Sequence, residues 1–269
     1  MKKQLILFSL ACLILLCSFA QAADRVVVIP LNTSSPVYVA GTEITSLPAT
    51  ISSSGFYFIT KNLTCPTGDH GISISANDVT LDLMGFTLLG PDGTGDYDGI
   101  YMSTGSDNIE IRNGTVKNFL RAGIRGSSGN QGIRIKNISA QQNGREGILL
   151  TGGLGSTIQH CTVNNNGDLG INGGALALVT DNVSFYNAGD GIFAGASSVV
   201  RGNACYNNGG DGIETLTAST LIGNTSYGND EYGFKLATKT LADQNTAVSN
   251  TLGDTTGCSP CSFGINQWL

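Results

Sequence analysis

The sequence predicts an all-β fold, a chain wound into a parallel β-helix (a solenoid) of about eight coils, and three observations predict it. A glycine followed by an apolar residue returns as Gly71-Ile72, Gly99-Ile100, Gly123-Ile124, Gly147-Ile148, Gly170-Ile171, Gly191-Ile192, Gly212-Ile213 and Gly233-Phe234, at spacings of 28, 24, 24, 23, 21, 21 and 21 residues. Such near-constant spacing marks stacked repeats, none of which can bury its apolar face alone. Two polar ladders keep step with the glycines: Asn137, His160, Asn182, Asn203, Asn224 and Asn245, and then Asn143, Asn166, Asn187, Asn208, Asn229 and Asn250. Within a coil, Ile109-Glu110-Ile111-Arg112 and Ile133-Arg134-Ile135-Lys136 alternate apolar with polar, the period of a half-buried strand. No segment after Ala23 carries sustained helical spacing.

Taken in chain order, Lys2 and Lys3 precede an apolar run from Leu5 to Phe19, and Ala20-Gln21-Ala22 supplies small residues at a cleavage site. Residues 1–22 therefore read as a secretory signal, and the mature chain as secreted or periplasmic. Residues 23–70 are expected to cap one end of the stack, 71–250 to form the coils, and 251–269 to close the other end, since an uncovered end coil invites edge-to-edge pairing. No later stretch offers the roughly 20 apolar residues of a membrane span. Without the leader, 14 − 2 = 12 basic residues face 20 acidic ones, a balance that disfavours nucleic acid and anionic membrane as partners.

Coils that stack at the strand spacing of roughly 4.8 Å pile equivalent residues into columns. Asn suits such a column because it tolerates left-handed backbone angles and its amide can bond the next coil. Counted from the first ladder, Ile138, Cys161, Val183, Ala204 and Thr225 share one offset, and Ala140, Val163, Phe185, Tyr206 and Tyr227 another. Both columns are expected to face inward, which makes the three aromatics a core stack. Cys161 and Cys205 fall two coils apart, beyond disulfide reach. Cys258 and Cys261 are read as a small disulfide tying down the C-terminal cap.

Two other repeat architectures fail. A leucine-rich repeat needs leucines at fixed offsets, and Gly191 to Gly210 contains none. A nonapeptide calcium roll needs a nine-residue period, and Asp190 and Asp211 are 21 apart. The recurring Gly-Ile, stacked Asn and Asn-Gly or Asp-Gly turns from about Gly71 to Asn250 resemble the right-handed parallel β-helix proteins of the pectin-lyase-like superfamily, of the uncharacterised exported bacterial type. The resemblance implies the right hand. Gly132-Ile133-Arg134-Ile135-Lys136 is similar to a substrate-binding motif of polygalacturonases. The carboxylate motifs that accompany it there do not precede His70-Gly71, and the Trp-Ile-Asp-His pattern of pectate lyases is absent.

Candidate chemistry lies in four places. Asp98, Glu146, Asp190 and Asp211 each precede a coil glycine and should form a discontinuous acidic column. Asp190 and Asp211, with Arg134 and Lys136, are the candidate catalytic residues, although Asp-Gly also suits a turn and Arg134 and Lys136 read as outward strand residues. Asp92, Asp96 and Asp98 crowd one glycine-rich insertion and are the candidate ligands for a cation such as calcium, without the spacing of an EF-hand. Extra residues near 103–107, 126–130 and 152–155 would wall a groove, where Arg121, Arg125 and Arg145 could meet an acidic sugar. The expected function is the binding of an extended carbohydrate by an exported protein, with enzymatic processing as the narrower expectation. The alternative is a non-catalytic surface or adhesion spacer, and fold does not choose between them.

Overall fold

The computed structural model describes residues 24–29, 37–66, 68–91, 95–257, 259 and 262–268. Residues 1–22, read above as a signal, and Asp92, Cys258 and Cys261 lie outside them. Among the described residues every regular element is a strand, and the strands form two sheets, one of ten strands and one of twenty, parallel throughout but for one antiparallel pair at the start of the larger. Both sheets run the length of the stack.

One coil shows how sequence becomes structure. Ile192–Ala194 is its strand in the ten-stranded sheet, pairing with Ile171 in the coil before and Ile213 in the coil after. A turn through Ser198 leads to Val199–Arg201 in the twenty-stranded sheet, a corner at Gly202 and Asn203 bends the chain, and Ala204–Tyr206 forms a second arm of that sheet. A turn through Asn208 then returns the chain to Gly212. The three strands enclose a narrow interior. It is filled by columns such as Ile72, Ile100, Ile124, Ile148, Ile171, Ile192, Ile213 and Phe234, all buried, and Leu81, Ile111, Ile135, Ile158, Val179, Val200, Leu221 and Ala242.

The stack begins ahead of Gly71. Ala49–Ile51 already pairs in parallel with Ile72–Ile74, so residues 49–70 make a first turn inside the segment read as a cap. The strands Asp24–Ile29 and Val37–Glu43 pair antiparallel beyond it, and Gly253–Gly257, Ser262–Phe263 and Gln267–Trp268 continue the pairing at the other end.

The ladders are hydrogen-bonded as expected, with a one-residue shift in the first. Backbone pairing sets Thr162 beside Val183, so Cys161 aligns with Asn182, and His160 aligns with Asp181. Asn137 and His160 thus belong to an outward corner column with positive φ (52° and 55°), which continues as Asp181 and Gly202, while Asn182, Asn203, Asn224 and Asn245 point inward beside it. The slip turns the second arm over. Its inward column is Ala140, Val163, Ser184, Cys205, Ser226 and Ala247, and Phe185, Tyr206 and Tyr227 face out of the sheet rather than forming a core stack. With a side-chain period of two, one residue of register exchanges faces for a whole strand. Val183, Ala204 and Thr225 are outward for the same reason.

Each buried Asn of the ladders satisfies backbone that the sheets cannot. Asn208 is buried; its amide nitrogen donates to Ser184 O (3.1 Å) and Asn229 Oδ1 (3.0 Å), and its own Oδ1 accepts from Asn187 N (3.1 Å) and Asn187 Nδ2 (3.0 Å). The coil glycines serve closeness instead. A methyl on Gly191 would stand 2.7 Å from the Gly212 carbonyl oxygen and 2.8 Å from the Asn208 amide nitrogen. Cys65, Cys161 and Cys205 are free and buried, and burial pushes the Cys161 thiol up to about 12.

Replacing Asn208 with Leu strands buried donors and acceptors in two adjacent coils, at about 1–3 kcal/mol for each unsatisfied group. Thermal unfolding should show a loss of several degrees for Asn208→Leu and much less for the exposed neighbour Asn207→Ala; equal losses would mean that the ladder is not what holds the coils. Gly191→Ala should cost about 1–3 kcal/mol by overpacking, measurable in the same assay.

Candidate functional site

The outward side chains of the ten-stranded sheet form one column: Ser73, Tyr101, Arg125, Leu149, Asn172, Phe193, Glu214, Lys235 and Thr256. From Tyr101 to Lys235 it spans six coil steps, about 29 Å at the usual strand spacing. One flank is the turn that precedes each coil glycine, which carries Asp98, Glu146, Asp190 and Asp211 in the anticipated order. The other flank is built from the longer loops, which stack through Gly105 N to Ser128 O, Gly129 N to Gly152 O, and the pairing of Gln131 with Leu154.

At one end of this strip the side chains converge on Asp98, which is fully buried. Arg125 Nε donates to its Oδ2 at 2.7 Å, Ala122 N donates to its Oδ1 at 3.2 Å, and Arg121 Nε lies 3.8 Å away. His70 Nδ1 accepts the Asp98 backbone N–H at 3.0 Å, so the neutral ring carries its proton on Nε2. The His70 ring stacks on Tyr101 at 4.7 Å between centroids, and the Arg125 guanidinium lies 4.4 Å from the centre of the same ring.

The guanidinium groups here are incompletely satisfied. Arg121 Nη1 and Arg145 Nη2 stand 3.5 and 3.7 Å from Asp96, longer than good hydrogen bonds, and Arg121 Nε is buried without a hydrogen-bond partner. Glu146 is half-buried beside them with Oε2 unpartnered. Burial raises its pKa, and Asp168 adds to the shift, while Arg145 and Arg121 pull the other way. Asp96 and Asp98 therefore face arginines, which meet the negative charge a cation would otherwise balance.

At the other end, carboxylate oxygens of Asp190, Asp211 and Glu214 lie within 4.8 Å of one another. Asp190 Oδ1 accepts the Asp211 N–H at 2.7 Å, and Asp211 Oδ1 accepts the Tyr232 N–H at 2.9 Å. Lys235 Nζ stands 3.1 Å from Glu214 and 3.3 Å from Asp211. Although burial opposes its charge, these two carboxylates hold the Lys235 ammonium protonated well above its ordinary range. Burial, and then the charges of Asp211 and Glu214, push the Asp190 carboxyl up to about 6 against the pull of its hydrogen bond from Asp211 N. The result is a site with one carboxyl able to gain or lose a proton near neutrality, beside a fixed positive charge. The three oxygens are also the donor set of a hard cation, which would have to displace Lys235 from two of them.

Arg134 and Lys136 do not join this site. They project from the twenty-stranded sheet and both meet Glu110, at 3.3 and 3.1 Å, the outward strand positions that alternation indicated. Burial opposes the Glu110 charge, but Lys136, Arg112 and Arg134 hold its pKa below the ordinary value. Sequence reasoning passed over Tyr101, Glu214 and Lys235, although a signal was present. Each stands two residues after a coil glycine, the same offset as Arg125, and therefore in the same outward column.

The sequence profile of the family described as right handed beta helix region matches residues 50–229. No curated protein matches the chain by sequence. Among solved structures, the Azotobacter vinelandii mannuronan C-5 epimerase AlgE4 A-module is 12% identical with a TM-score of 0.56, over 85% of this chain and 86% of that one. The periplasmic alginate epimerase AlgG is 14% identical with a TM-score of 0.58, over 88% and 81%. The Dettilon tailspike protein is 17% identical with a TM-score of 0.57 over 77% of this chain, which spans only 55% of the tailspike's length. At these identities the likeness is one of fold. A profile match across two thirds of the sequence is a different matter, and it establishes that this chain belongs to the right-handed beta helix family.

Proposed function

We propose that the chain binds an extended acidic polysaccharide lengthwise along the outer face of the ten-stranded sheet, outside the cytoplasm, and that Asp190 is the group that exchanges a proton with the bound polymer. The observation that carries the reading is the set of unspent guanidinium donors on Arg121 and Arg145, beside the His70, Tyr101 and Arg125 stack. Forked guanidinium groups match a carboxylate, and an aromatic face matches the apolar face of a sugar ring. A strip about 29 Å long, open along its length, suits a linear ligand better than a compact one. The matched solved structures include two named as epimerases of alginate or mannuronan and a tailspike, and the leader-like start of the sequence supports export. Among the described residues no helix is long and apolar enough to cross a membrane.

The test is affinity electrophoresis in gels containing alginate or polygalacturonate, followed by assay of the polymer for newly formed unsaturated or reducing ends. Arg121→Gln and Arg145→Gln leave the Arg125–Asp98 pair in place and should together weaken retention roughly tenfold, the scale of a lost charged hydrogen bond. Retention of the wild type by neither acidic polymer, or equal retention of the variant, would refute the reading.

Asp190 yields a second expectation. Its folded pKa of about 6 lies above the ordinary carboxylate value, so its favourable contribution to stability is complete below roughly pH 4 and disappears as the pH rises through 6. Asp190→Asn keeps an oxygen for the Asp211 N–H and should flatten the melting temperature between pH 4 and 7, with a gain at pH 7. The same variant should abolish any turnover of the polymer while leaving retention intact.

A further inference from the structure

The outward turn of Phe185, Tyr206 and Tyr227 creates a second surface, on the twenty-stranded sheet and apart from the strip already described. The three residues are direct partners in consecutive coils, so their Cα atoms follow one another at roughly 4.8 Å. Among the described residues no ring contact joins Phe185 to Tyr206 or Tyr206 to Tyr227; the one aromatic pair there is Phe185 with Tyr186, edge to face at 5.5 Å. The rings thus leave a shallow cavity of about 330 Å³ between them, lined by Val183, Phe185, Tyr186, Tyr206, Asn207 and Tyr227. Val183 (37%) and Tyr186 (57%) on one coil and Tyr227 (48%) two coils on are exposed, with Phe185 and Tyr206 half-buried between them. Tyr186 holds φ of 55° at a position filled by Asn165, Asn207 and Gly228 in neighbouring coils, so a bulky ring is kept where the backbone favours Asn or Gly.

We infer that this aromatic platform is a second carbohydrate site, one that stacks the ring of a neutral, uncharged sugar. None of the six lining residues carries a formal charge. The phenol hydroxyls and the Asn207 amide supply donors and acceptors beside the ring faces, which complements a ligand with apolar C–H faces, a hydroxylated rim and no ionic group. The same lining offers no positive charge to a carboxylate, so this surface and the arginine-bearing strip select different chemistry. A second copy of the chain fits poorly. Six residues fall far short of the roughly 20–30 per partner in a stable interface, and two copies at net charge −6 repel. The site is independent of the acidic-polymer reading, and either can fail without the other.

The experiment is affinity electrophoresis of the full chain in gels containing hydroxyethyl cellulose, xylan, galactomannan or dextran. At least one neutral polymer should retard the wild type. The double variant Tyr206→Thr, Tyr227→Thr uses a residue already tolerated on this face and should lose roughly tenfold in retention, the scale of losing a stacked ring or two. Arg121→Gln should bind the neutral polymer as the wild type does. Circular dichroism and melting temperature establish that the double variant is folded; if it is not, the single Tyr227→Thr variant, at the most exposed ring of the column, carries the test. Absence of retardation in all four polymers, or retardation unchanged by the variants, overturns the assignment. So does a concentration-dependent dimer in sedimentation that the Tyr227→Thr change abolishes, which would reassign the platform to self-association.

Discussion

Everything in this protein depends on the hydrogen bonds that run between successive coils. Parallel strands pair at one spacing, so each turn of the chain lies directly over the last, and each residue inherits the environment of its equivalents above and below. An interior Ile is covered by another Ile. A buried Asn finds an Asn in the neighbouring coil, and the amide that would be costly alone becomes one link in a chain of donors and acceptors. The coil glycines obey the same constraint from the steric side, because the next carbonyl is too near to admit a methyl group.

That constraint also shapes the surface. A column that is repetitive inside can vary outside, since outward side chains are not needed to hold the layers together. On the ten-stranded sheet the variation places Arg125 and Tyr101 at one end and Glu214 and Lys235 at the other. The two ends differ in electrostatics: around Asp98 a buried carboxylate is met by guanidinium groups, whereas around Lys235 a single ammonium pairs with two of three clustered carboxylates. The carboxyl left over, Asp190, is the one whose proton affinity burial and crowding raise. On the other sheet the same freedom admits a run of rings where the flanking coils carry Asn164 and Val248.

The functional reading therefore comes from sites grafted on a fold that serves many ends. Likeness to epimerases and tailspikes at 11–17% identity speaks to the coil and its hand. The arginine donors and the raised carboxyl are observed in this chain's own geometry, and the proposal of an acidic polymer as ligand of the strip rests on them.

The sequence by itself determined the layer: its length, its strands, its polar ladders and the column of Asp98, Glu146, Asp190 and Asp211. Periodicity carries that information because each coil repeats the same contacts. Tertiary structure alone decided which way the second arm faces, since the 22-residue step from His160 to Asn182 hides a one-residue change of register that a count of asparagines cannot resolve. It likewise decided that Asp98 is gripped by Arg125, that Lys235 reaches back to Asp211, and that Arg134 and Lys136 attend Glu110 instead of Asp190. These are meetings across coils and between sheets, and their distances depend on where the corners bend the chain.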